Sequence, residues 1–265
     1  MKSFGHMAGE TERGQAVDDA IQSNEVLSKL RRTAKEALAA GAKPEKLDRG
    51  KVVCHQGASA GRFWLLISGK IKLVNYTSKG AALLIDLVLP NQIFGTLFYD
   101  QNPIYPCTAL TVQPSQLLSF RLKDLLADLD RNPALQKILL ADTCRKLCQA
   151  QHMRGLGLEQ APVRLAHSLL HLHEKFGLII PETRSTLAEL AGMSVETAIR
   201  ITRALAKRGI LETRRGQMEI RSLAALRACA QGANTNYELN HTTVTAHSVR
   251  VTGNGRQSVA RPFEQ

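Results

Sequence analysis

The hydrophobic and polar positions between residues 183 and 207 repeat with the period of two short helices. Gly192 separates these helices, and a glycine supplies the left-handed backbone conformation that a tight interhelical turn requires. Thr183 or Ser185 can cap the first helix, and Ser194 can cap the second. The pattern therefore predicts a helix–turn–helix unit.

Beyond the second helix, the period changes to the alternation of β-strands. One strand begins at Ile210 and Leu211, the turn is Arg214-Arg215-Gly216, and the returning strand contains Met218 and Ile220. A hairpin in this position forms the wing of a winged helix-turn-helix. The sequence thus predicts a wing with arginines at its tip.

The polar face of the second helix has the chemistry to read DNA. Glu196 and Arg200 lie one helical turn apart, near the end of the helix from which base edges are read. The carboxylate can accept from the N4 amine of cytosine, and the guanidinium can donate to O6 and N7 of guanine. The alternative is an ordinary surface ion pair between residues i and i+4. The cap, turn and wing around this pair favour the DNA-reading hypothesis.

The segment SVETAIR, residues 194–200, resembles the recognition-helix motif of the CRP/FNR family of bacterial transcription regulators. The matching positions are Ser194, Glu196, Thr197 and Arg200. Val195 stands where the cyclic-AMP receptor protein has an arginine, in agreement with the FNR-like branch, and Ile199 stands where FNR-like helices often have a serine. The resemblance implies a half-site of the TGA type, with the outermost base preference left open.

The predicted DNA surface comprises two groups of residues. Base contacts are assigned to Val195, Glu196 and Arg200. Phosphate contacts, which fix the register without specifying sequence, are assigned to Thr183, Arg184, Ser194, Thr197, Arg203, Arg214 and Arg215. The partners implied by the resemblance are double-stranded DNA, a second copy of the chain and, for an activator, RNA polymerase.

Charge and hydrophobicity agree with this prediction. The 265 residues carry a net charge of +12, and many of the basic residues fall in or beside the predicted DNA surface. A hydrophobic content of 44% is sufficient for buried cores. No apolar run of about eighteen residues and no secretory signal pattern is found, so the sequence predicts a cytoplasmic protein without a membrane partner.

The cysteine pattern argues against several kinds of site. The five cysteines are odd in number and lack paired CxxC spacing, which indicates neither a disulfide framework nor a zinc finger. They are Cys54, Cys107, Cys144, Cys148 and Cys229. The four-cysteine arrangement of iron–sulfur FNR proteins is not found, because no cysteine cluster precedes Cys54. The sequence therefore predicts neither an iron–sulfur cluster nor another metal site.

Short alternating segments separated by glycines occupy residues 48–120 and predict a β-barrel or sandwich. The segment WLLISGKIKL, with Gly57 and Gly69 at turn positions, resembles the double-stranded β-roll of the cyclic-nucleotide-binding fold. The resemblance covers about residues 45–228. The predicted fold class is α+β, with an N-terminal jelly-roll-like β-roll, a long dimerisation helix and a C-terminal winged helix-turn-helix.

The pattern divides the chain into five segments. They are a flexible arm over residues 1–23, a β-roll sensor domain with flanking helices over 24–130, a dimerisation helix with its hinge over 131–157, the winged helix-turn-helix over 158–229, and a disordered tail over 230–265. Residues 24–40 are expected to form one amphipathic helix that ends at Gly41. Gly155 and Gly157 are expected to loosen the hinge.

An apolar stripe along the long helix predicts a helix–helix contact. In the family this helix pairs with its twin, which implies seam positions at Leu139, Leu140, Thr143, Leu147, Ala150 and Gln151. The alternative is that the stripe packs on the β-roll of the same chain. Cys144 and Cys148 lie one turn apart on this helix and are expected to be buried as small apolar residues. The alternative is that they form a thiol sensor.

The resemblance also identifies a candidate effector pocket. Members that bind cyclic AMP hold the ribose with Gly-Glu and the phosphate with Arg-Ser, whereas this chain has Gly95-Thr96 and Pro106-Cys107. A buried phosphate without a cationic partner is costly, so the sequence predicts that cyclic AMP is not the effector. The candidate pocket residues are Gly95, Thr96, Cys107, Thr108, Ala150 and Gln151.

The sequence analysis therefore predicts a homodimeric, sequence-specific transcription regulator that is not an enzyme and responds to a signal other than cyclic AMP. One alternative is a constitutive DNA binder with an empty sensor, regulated by protein level or cysteine oxidation. The other is an enzyme with a nucleophile at Cys54 or Cys107. Neighbouring residues on a strand point to opposite faces, which argues against a nucleophile–base pair of Cys54 and His55.

Overall fold

The computed structural model describes residues 10–76, 80, 82–96 and 102–232. It begins with helix α1 (Glu10–Ser23), a 3₁₀ turn (Leu27–Lys29) and helix α2 (Arg32–Ala40). Eight strands follow: β1 (Lys43–Leu47), β2 (Val52–Cys54), β3 (Arg62–Ser68), β4 (Ile71–Tyr76), β5 (Ala82–Val88), β6 (Ile93–Gly95), β7 (Thr108–Thr111) and β8 (Ser115–Arg121).

Helices dominate the second half of the described chain. They are α3 (Leu122–Leu129), α4 (Pro133–Leu156) and α5 (Ala161–Phe176), followed after the short strand β9 (Ile179–Ile180) by α6 (Arg184–Ala191) and α7 (Val195–Lys207). Strands β10 (Leu211–Arg214) and β11 (Gln217–Ile220) precede the last helix, α8 (Leu223–Ala230). The α+β class and the order of β-roll, long helix and winged helix-turn-helix are confirmed.

The strands β1 to β8 form two antiparallel four-stranded sheets that face each other. The first sheet has the order β1-β8-β3-β6, and the second has the order β2-β7-β4-β5. Trp64 stacks on Phe94 with ring centroids 5.6 Å apart, inside a core shared with Ile71 and Ala109 of the second sheet. Gly69 has a φ of +101°, and a Cβ there would lie 2.6 Å from the Cα of Ser115, so the turn before β4 requires glycine.

The N-terminal region differs from the flexible arm expected over residues 1–23. Residues 10–23 form helix α1, and Val17 and Ile21 on one helical face are buried in a cluster with Leu27, Phe63 and Phe120. Burial of these apolar side chains against the first sheet stabilises a helix that would be marginal alone. Residues 1–9 lie outside the described part of the chain.

The single helix expected over residues 24–40 is also wrong. The Asn24 side chain accepts from the backbone N–H of Leu27 at 3.0 Å, which favours a short 3₁₀ turn. The backbone N–H of Arg31 donates to the carboxylate of Asp128 at 3.1 Å instead of continuing a helix. Helix α2 therefore starts only at Arg32, because a tertiary contact replaces the local hydrogen bonds.

Helix α4 runs through Gly155 without interruption and ends at Leu156. Gly155 thus belongs to the last turn of α4, and residues 157–160 connect α4 to α5. Leu135 and Leu139 at the start of α4 pack on the N-terminal cluster, whereas Leu140 and Leu147 are 65% and 56% exposed. Leu140 and Leu147 of the apolar stripe are thus not packed on the β-roll of this chain.

The C-terminal region of residues 161–230, which the sequence predicts to bind DNA and which we call the DNA-binding region, packs around a core built from α5, α6, α7 and α8 and the sheet β10-β11-β9. Strand β9 and helix α8 were not expected from the sequence. This core continues into Val74, Leu84 and Leu87 on the outer face of the second sheet of the roll. The tail expected as a disordered segment lies outside the described residues from residue 233 onward, whereas residue 230 ends α8.

None of the helices in the described ranges combines the length and the apolar character that a bilayer-spanning segment needs.

The buried carboxylate of Asp128 anchors the N-terminal region to α4, and its removal should destabilise the protein. It accepts from Arg31 and, at 2.8 Å, from Asn132, whose own side-chain oxygen caps α4 at Leu135. Asp128→Ala leaves the backbone N–H of Arg31 without an acceptor and removes one of the two acceptors of the Asn132 side chain, the other being the carbonyl of Lys29. We expect a loss of about 1 to 3 kcal/mol in the free energy of unfolding. Urea unfolding would measure the loss.

Exposed Asp130 provides the control, since Asp130→Ala should leave the stability nearly unchanged. Burial alone would raise the pKa of Asp128, but hydrogen bonds from Asn132 and Arg31 outweigh it and hold that pKa below its ordinary value. The carboxylate therefore stabilises the fold above its unfolded pKa of about 3.9, and the difference between variant and wild type should narrow as the pH falls through the lowered value. A loss that is the same for Asp130→Ala, or constant with pH, would contradict this role.

Candidate nucleic-acid interface

Helix α6 is defined at both ends by local sequence. The Thr183 hydroxyl accepts from the backbone N–H of Thr186 at 3.1 Å and caps the N-terminus. Gly192 ends the helix in the left-handed conformation, with φ of 60° and ψ of 49°. The backbone N–H of Met193 then returns to the carbonyl of Ala188. This C-terminal turn sets the angle between α6 and α7, as the sequence predicted.

Helix α7 presents an apolar face to the core and a polar face to solvent. Ser194 caps it by accepting from the backbone N–H of Thr197 at 3.2 Å. Ala198, Ile201 and Leu205 are buried. We call the exposed residues beside this helix the recognition surface, which comprises Glu196, Arg200, Arg203 and Lys207 of α7 and Arg215 of the wing turn.

Glu196 and Arg200 both belong to the exposed recognition surface. No ion pair between the two is found among the described residues, so the i,i+4 pair of the alternative interpretation is not formed here. Hydrogen bonds from its own backbone N–H and from the Ser194 hydroxyl lower the pKa of Glu196. The carboxylate is therefore ionised at neutral pH and has free acceptor capacity.

The other predicted contact residues fall into two groups. Ser194, Val195 and Arg203 are exposed near Glu196 and Arg200, and Arg215 is exposed at the wing turn. Arg184, in contrast, donates through Nη2 to the Thr213 hydroxyl at 2.6 Å and is partly buried between α6 and β10. This guanidinium supports the wing in the structure, an arrangement that the sequence did not indicate.

The wing contains a carboxylate that binds two arginines. Glu212 accepts from Arg214 at 2.9 Å and from Arg221 at 3.0 Å. Hydrogen bonds from Arg221 and then Arg214 lower the pKa of Glu212. Arg214 is thus partly neutralised, whereas Arg215 has no ion pair among the described residues. The charge that the wing offers to an anion comes mainly from Arg215 and the outer side of Arg214.

The candidate effector residues are differently placed. Thr96 is 2% exposed, and the Thr108 hydroxyl accepts from the backbone N–H of Gln56 at 3.0 Å. Burial, followed by the nearby Cys54, raises the pKa of the Cys107 thiol to about 11, so the thiol is neutral at pH 7. A Cβ at Gly95 would lie 3.2 Å from the Cα of Phe63, which explains this glycine by close packing.

The two α4 residues of the predicted pocket are exposed in this chain. Ala150 is exposed to solvent, and Gln151 lines a cavity of about 420 Å³ at the junction of α4, α5 and α8. Glu159, His167 and Gln231 also line this cavity. Gln151 thus lies next to the connection between α4 and α5, a position that the sequence analysis did not predict.

The buried cysteines and the histidines of the described residues lie in separate surroundings. Cys54 is 7% exposed, and burial raises the pKa of its thiol, whereas His55 is exposed at the end of the strand. His167 lies 2.9 Å from the carbonyl of Ala230, and His171 lies 3.1 Å from Asp86, so these histidines have different partners. Within the described residues, no group of three or more His, Cys, Asp or Glu side chains is placed to hold a metal.

Comparison with known proteins agrees with both halves of this architecture. Residues 44–132 match the cyclic nucleotide-binding domain family, and residues 163–229 match the Crp-like helix-turn-helix domain family. The cyclic AMP receptor protein of Thermus thermophilus is 31% identical over 186 residues, which cover 69% of this chain and 86% of that protein. The chain belongs to the CRP/FNR family of transcription regulators.

Other CRP/FNR proteins extend the comparison. The global nitrogen regulator of Synechococcus elongatus is 26% identical over 66% of this chain and 80% of its own length. The structure of FixK2 from Bradyrhizobium japonicum superposes with a TM-score of 0.64 at 18% identity, over 71% of this chain and 96% of the other. The latter similarity concerns the fold alone. As a CRP/FNR regulator, the chain carries a DNA-binding helix-turn-helix domain.

Gly192 offers a direct test of the turn that sets the recognition helix. A Cβ at this position would meet nothing within 4 Å, so the cost of Gly192→Ala is purely conformational. We expect a loss of about 1 to 2 kcal/mol from forcing alanine into the left-handed region. Gly155→Ala is the matched control, because Gly155 lies inside α4 and its replacement should stabilise the helix by about 0.5 to 1 kcal/mol. Thermal unfolding of both variants should give shifts of opposite sign, and equal shifts would contradict the assignment.

Proposed function

We propose that this CRP/FNR regulator binds a pseudo-palindromic DNA site with TGA-type half-sites as a homodimer. The observation that carries the proposal is the exposure of Glu196 and Arg200, one turn apart on the N-terminal half of α7 and unpaired with each other. Their donor and acceptor groups suit neighbouring G·C pairs in a major groove. Thr183, Arg184, Ser194, Thr197, Arg203, Arg214 and Arg215 are the proposed phosphate contacts.

The exposed stripe of α4 supports the proposed homodimer. Leu140 and Leu147 are more than half exposed, and Thr143 lies between them on the same side of the helix. Large apolar side chains arranged at this spacing favour pairing with a second helix. Leu139 is half-buried against its own chain and would lie at the edge of that contact. Two copies related by a two-fold axis would present recognition helices roughly 34 to 36 Å apart.

The effector is proposed to differ from cyclic AMP. The positions that supply a carboxylate and an arginine in cyclic-AMP-binding members hold Thr96 and Pro106 here, and Cys107 replaces the serine that follows the arginine. Thr96 is buried, and the Cys107 thiol is neutral, so neither can neutralise a phosphate. Gly95, Thr108, Ala150 and Gln151 complete the set of residues proposed around the signal-binding position.

Arg200 should determine one base of the half-site. We expect Arg200→Ala to lose discrimination at a single guanine by about 1 to 3 kcal/mol, because its bidentate donors are removed. Arg214→Ala should instead weaken binding to all sequences alike and reduce the slope of log affinity against log salt concentration. Fluorescence anisotropy with the selected site, single-base variants and random duplex would distinguish the two effects. Equal losses on specific and random DNA for both variants would contradict these roles.

Cyclic AMP should not bind to the protein with micromolar affinity. Isothermal titration calorimetry of the purified protein with cyclic AMP is expected to show no saturable heat, since Pro106 and Cys107 supply no positive charge for the phosphate. The double variant Thr96→Glu/Cys107→Ser serves as a comparison, because it restores a carboxylate without restoring the arginine. Micromolar binding by the wild type would overturn the proposal.

A further inference from the structure

The second sheet of the roll has an outer face that is occupied by the DNA-binding region of the same chain. The inner face contributes Ile71, Val88 and Ala109 to the core between the two sheets. On the opposite side, Leu84 and Leu87 join the core of α5, α6 and α7. Both leucines are at most 2% exposed, so separation of the regions would return them to water.

Two lysines, one in β4 and one in the turn before it, pair with acidic residues within α6 or just before it. Lys70 pairs with Glu182, and both side chains are less than a fifth exposed. Lys72 pairs with Glu189 at 2.6 Å, with the lysine side chain 17% exposed. Partly buried pairs of this kind are weakly screened by salt and fix relative orientation.

A third group has the opposite polarity. Asp86 of β5 lies 3.1 Å from His171 and 3.0 Å from Lys175 on α5. Lys175 also donates to the backbone carbonyl of Leu87 at 2.9 Å. Burial alone would raise the pKa of Asp86, but the hydrogen bond from His171 and the charge of Lys175 outweigh it and lower that pKa. The roll thus supplies both cations and an anion to the contact. The charges of the two surfaces are therefore complementary in only one relative orientation.

We propose that this docking interface, formed by Lys70, Lys72 and Asp86 of the roll with Glu182, Glu189, His171 and Lys175 of the DNA-binding region, holds the recognition helix in the orientation that binds DNA. The inference rests on the proposed function. It assigns to the outer sheet face a positioning role in DNA binding, in addition to the connection through residues 157–160.

The exposure of the recognition surface supports a positive role for docking. Glu196, Arg200 and Arg203 remain exposed while the interface is formed, so the reading face is not covered by the roll. The lysines also neutralise Glu182 and Glu189, which lie close in sequence to the proposed phosphate contacts at Thr183 and Arg184. Neutralised carboxylates repel phosphates less than free ones do.

Helix α6 transmits the orientation to α7. Leu187 and Leu190 of α6 are buried in the same core as Ala198 and Ile201 of α7, and Gly192 fixes the turn between the helices. If the DNA-binding region rotated freely about residues 157–160, the two recognition helices of the proposed dimer would have the spacing of a full site only part of the time. Its apparent affinity would fall by the fraction of time spent in the competent orientation.

The test is a charge-swap cycle on the Lys72–Glu189 pair in the full-length protein. The variants are Lys72→Glu, Glu189→Lys and the double variant Lys72→Glu/Glu189→Lys, with Lys123→Glu on exposed α3 as a control for the same change in net charge. Each is measured for binding to a pseudo-palindromic duplex and to a duplex with a single half-site. The comparison separates orientation from general attraction, because only the full site requires two fixed helices.

We expect Lys72→Glu to weaken binding to the full site on the order of tenfold relative to the half-site. The double variant should recover to within about threefold of wild type, since it restores an ion pair of reversed polarity. Lys123→Glu should leave the ratio of full-site to half-site affinity unchanged. Tighter full-site binding by Lys72→Glu would show that docking is inhibitory and would overturn the proposal, as would a double variant that is no better than Lys72→Glu.

Thermal unfolding tests the docking independently of DNA. The two single variants should each lower the Tm, and the double variant should recover most of the loss; additive losses would refute the interface. If Lys72→Glu fails to fold, Lys72→Gln and Glu189→Gln with their double variant complete the same cycle. The cycle could show the expected coupling in Tm while the wild-type protein binds neither duplex. That result would refute the proposed function and would still support the docking contact.

Discussion

The shared apolar core of the DNA-binding helices and the outer face of the second sheet is the contact on which the described architecture depends. Leu84 and Leu87 extend from β5 into a cluster that also contains Leu169, Leu190 and Ile201. Because the same strand alternates its side chains between two faces, β5 contributes to the roll and to the DNA-binding region at once. The second sheet therefore packs against the core of the roll on one face and against the DNA-binding region on the other.

Ion pairs fix the relative orientation of the roll and the DNA-binding region. Apolar contact alone is compatible with many relative rotations, whereas Lys70 and Lys72 on one side and Asp86 on the other match partners of opposite sign in a single arrangement. The recognition surface faces outward in that arrangement. Orientation of α7 is thus connected, through α6 and α5, to the same sheet that forms one wall of the roll.

The roll itself combines family architecture with altered chemistry. Residues 44–132, which contain most of its two sheets, match the cyclic nucleotide-binding domain family. Thr96 is buried and the Cys107 thiol is neutral, so neither side chain supplies a charge inside the roll. A fold can retain its packing while the few polar groups that select a ligand change, since packing depends on many apolar residues and selection on few polar ones.

Local sequence determined the helix–turn–helix, because Thr183, Ser194 and Gly192 define its ends through hydrogen bonds and backbone conformations that involve only neighbouring residues. The periodicity of the strands likewise predicted a barrel or sandwich, which the family resemblance narrowed to a β-roll. The exposed positions of Glu196 and Arg200 followed from the amphipathic pattern of α7. Only the tertiary structure decided that residues 10–23 form a helix, that Arg31 interrupts the next one, and that Arg184 supports the wing. The pairing of Lys72 with Glu189, 117 residues further along the chain, left no trace in the pattern of either segment, because an ion pair between distant residues requires only that two surface charges meet after folding.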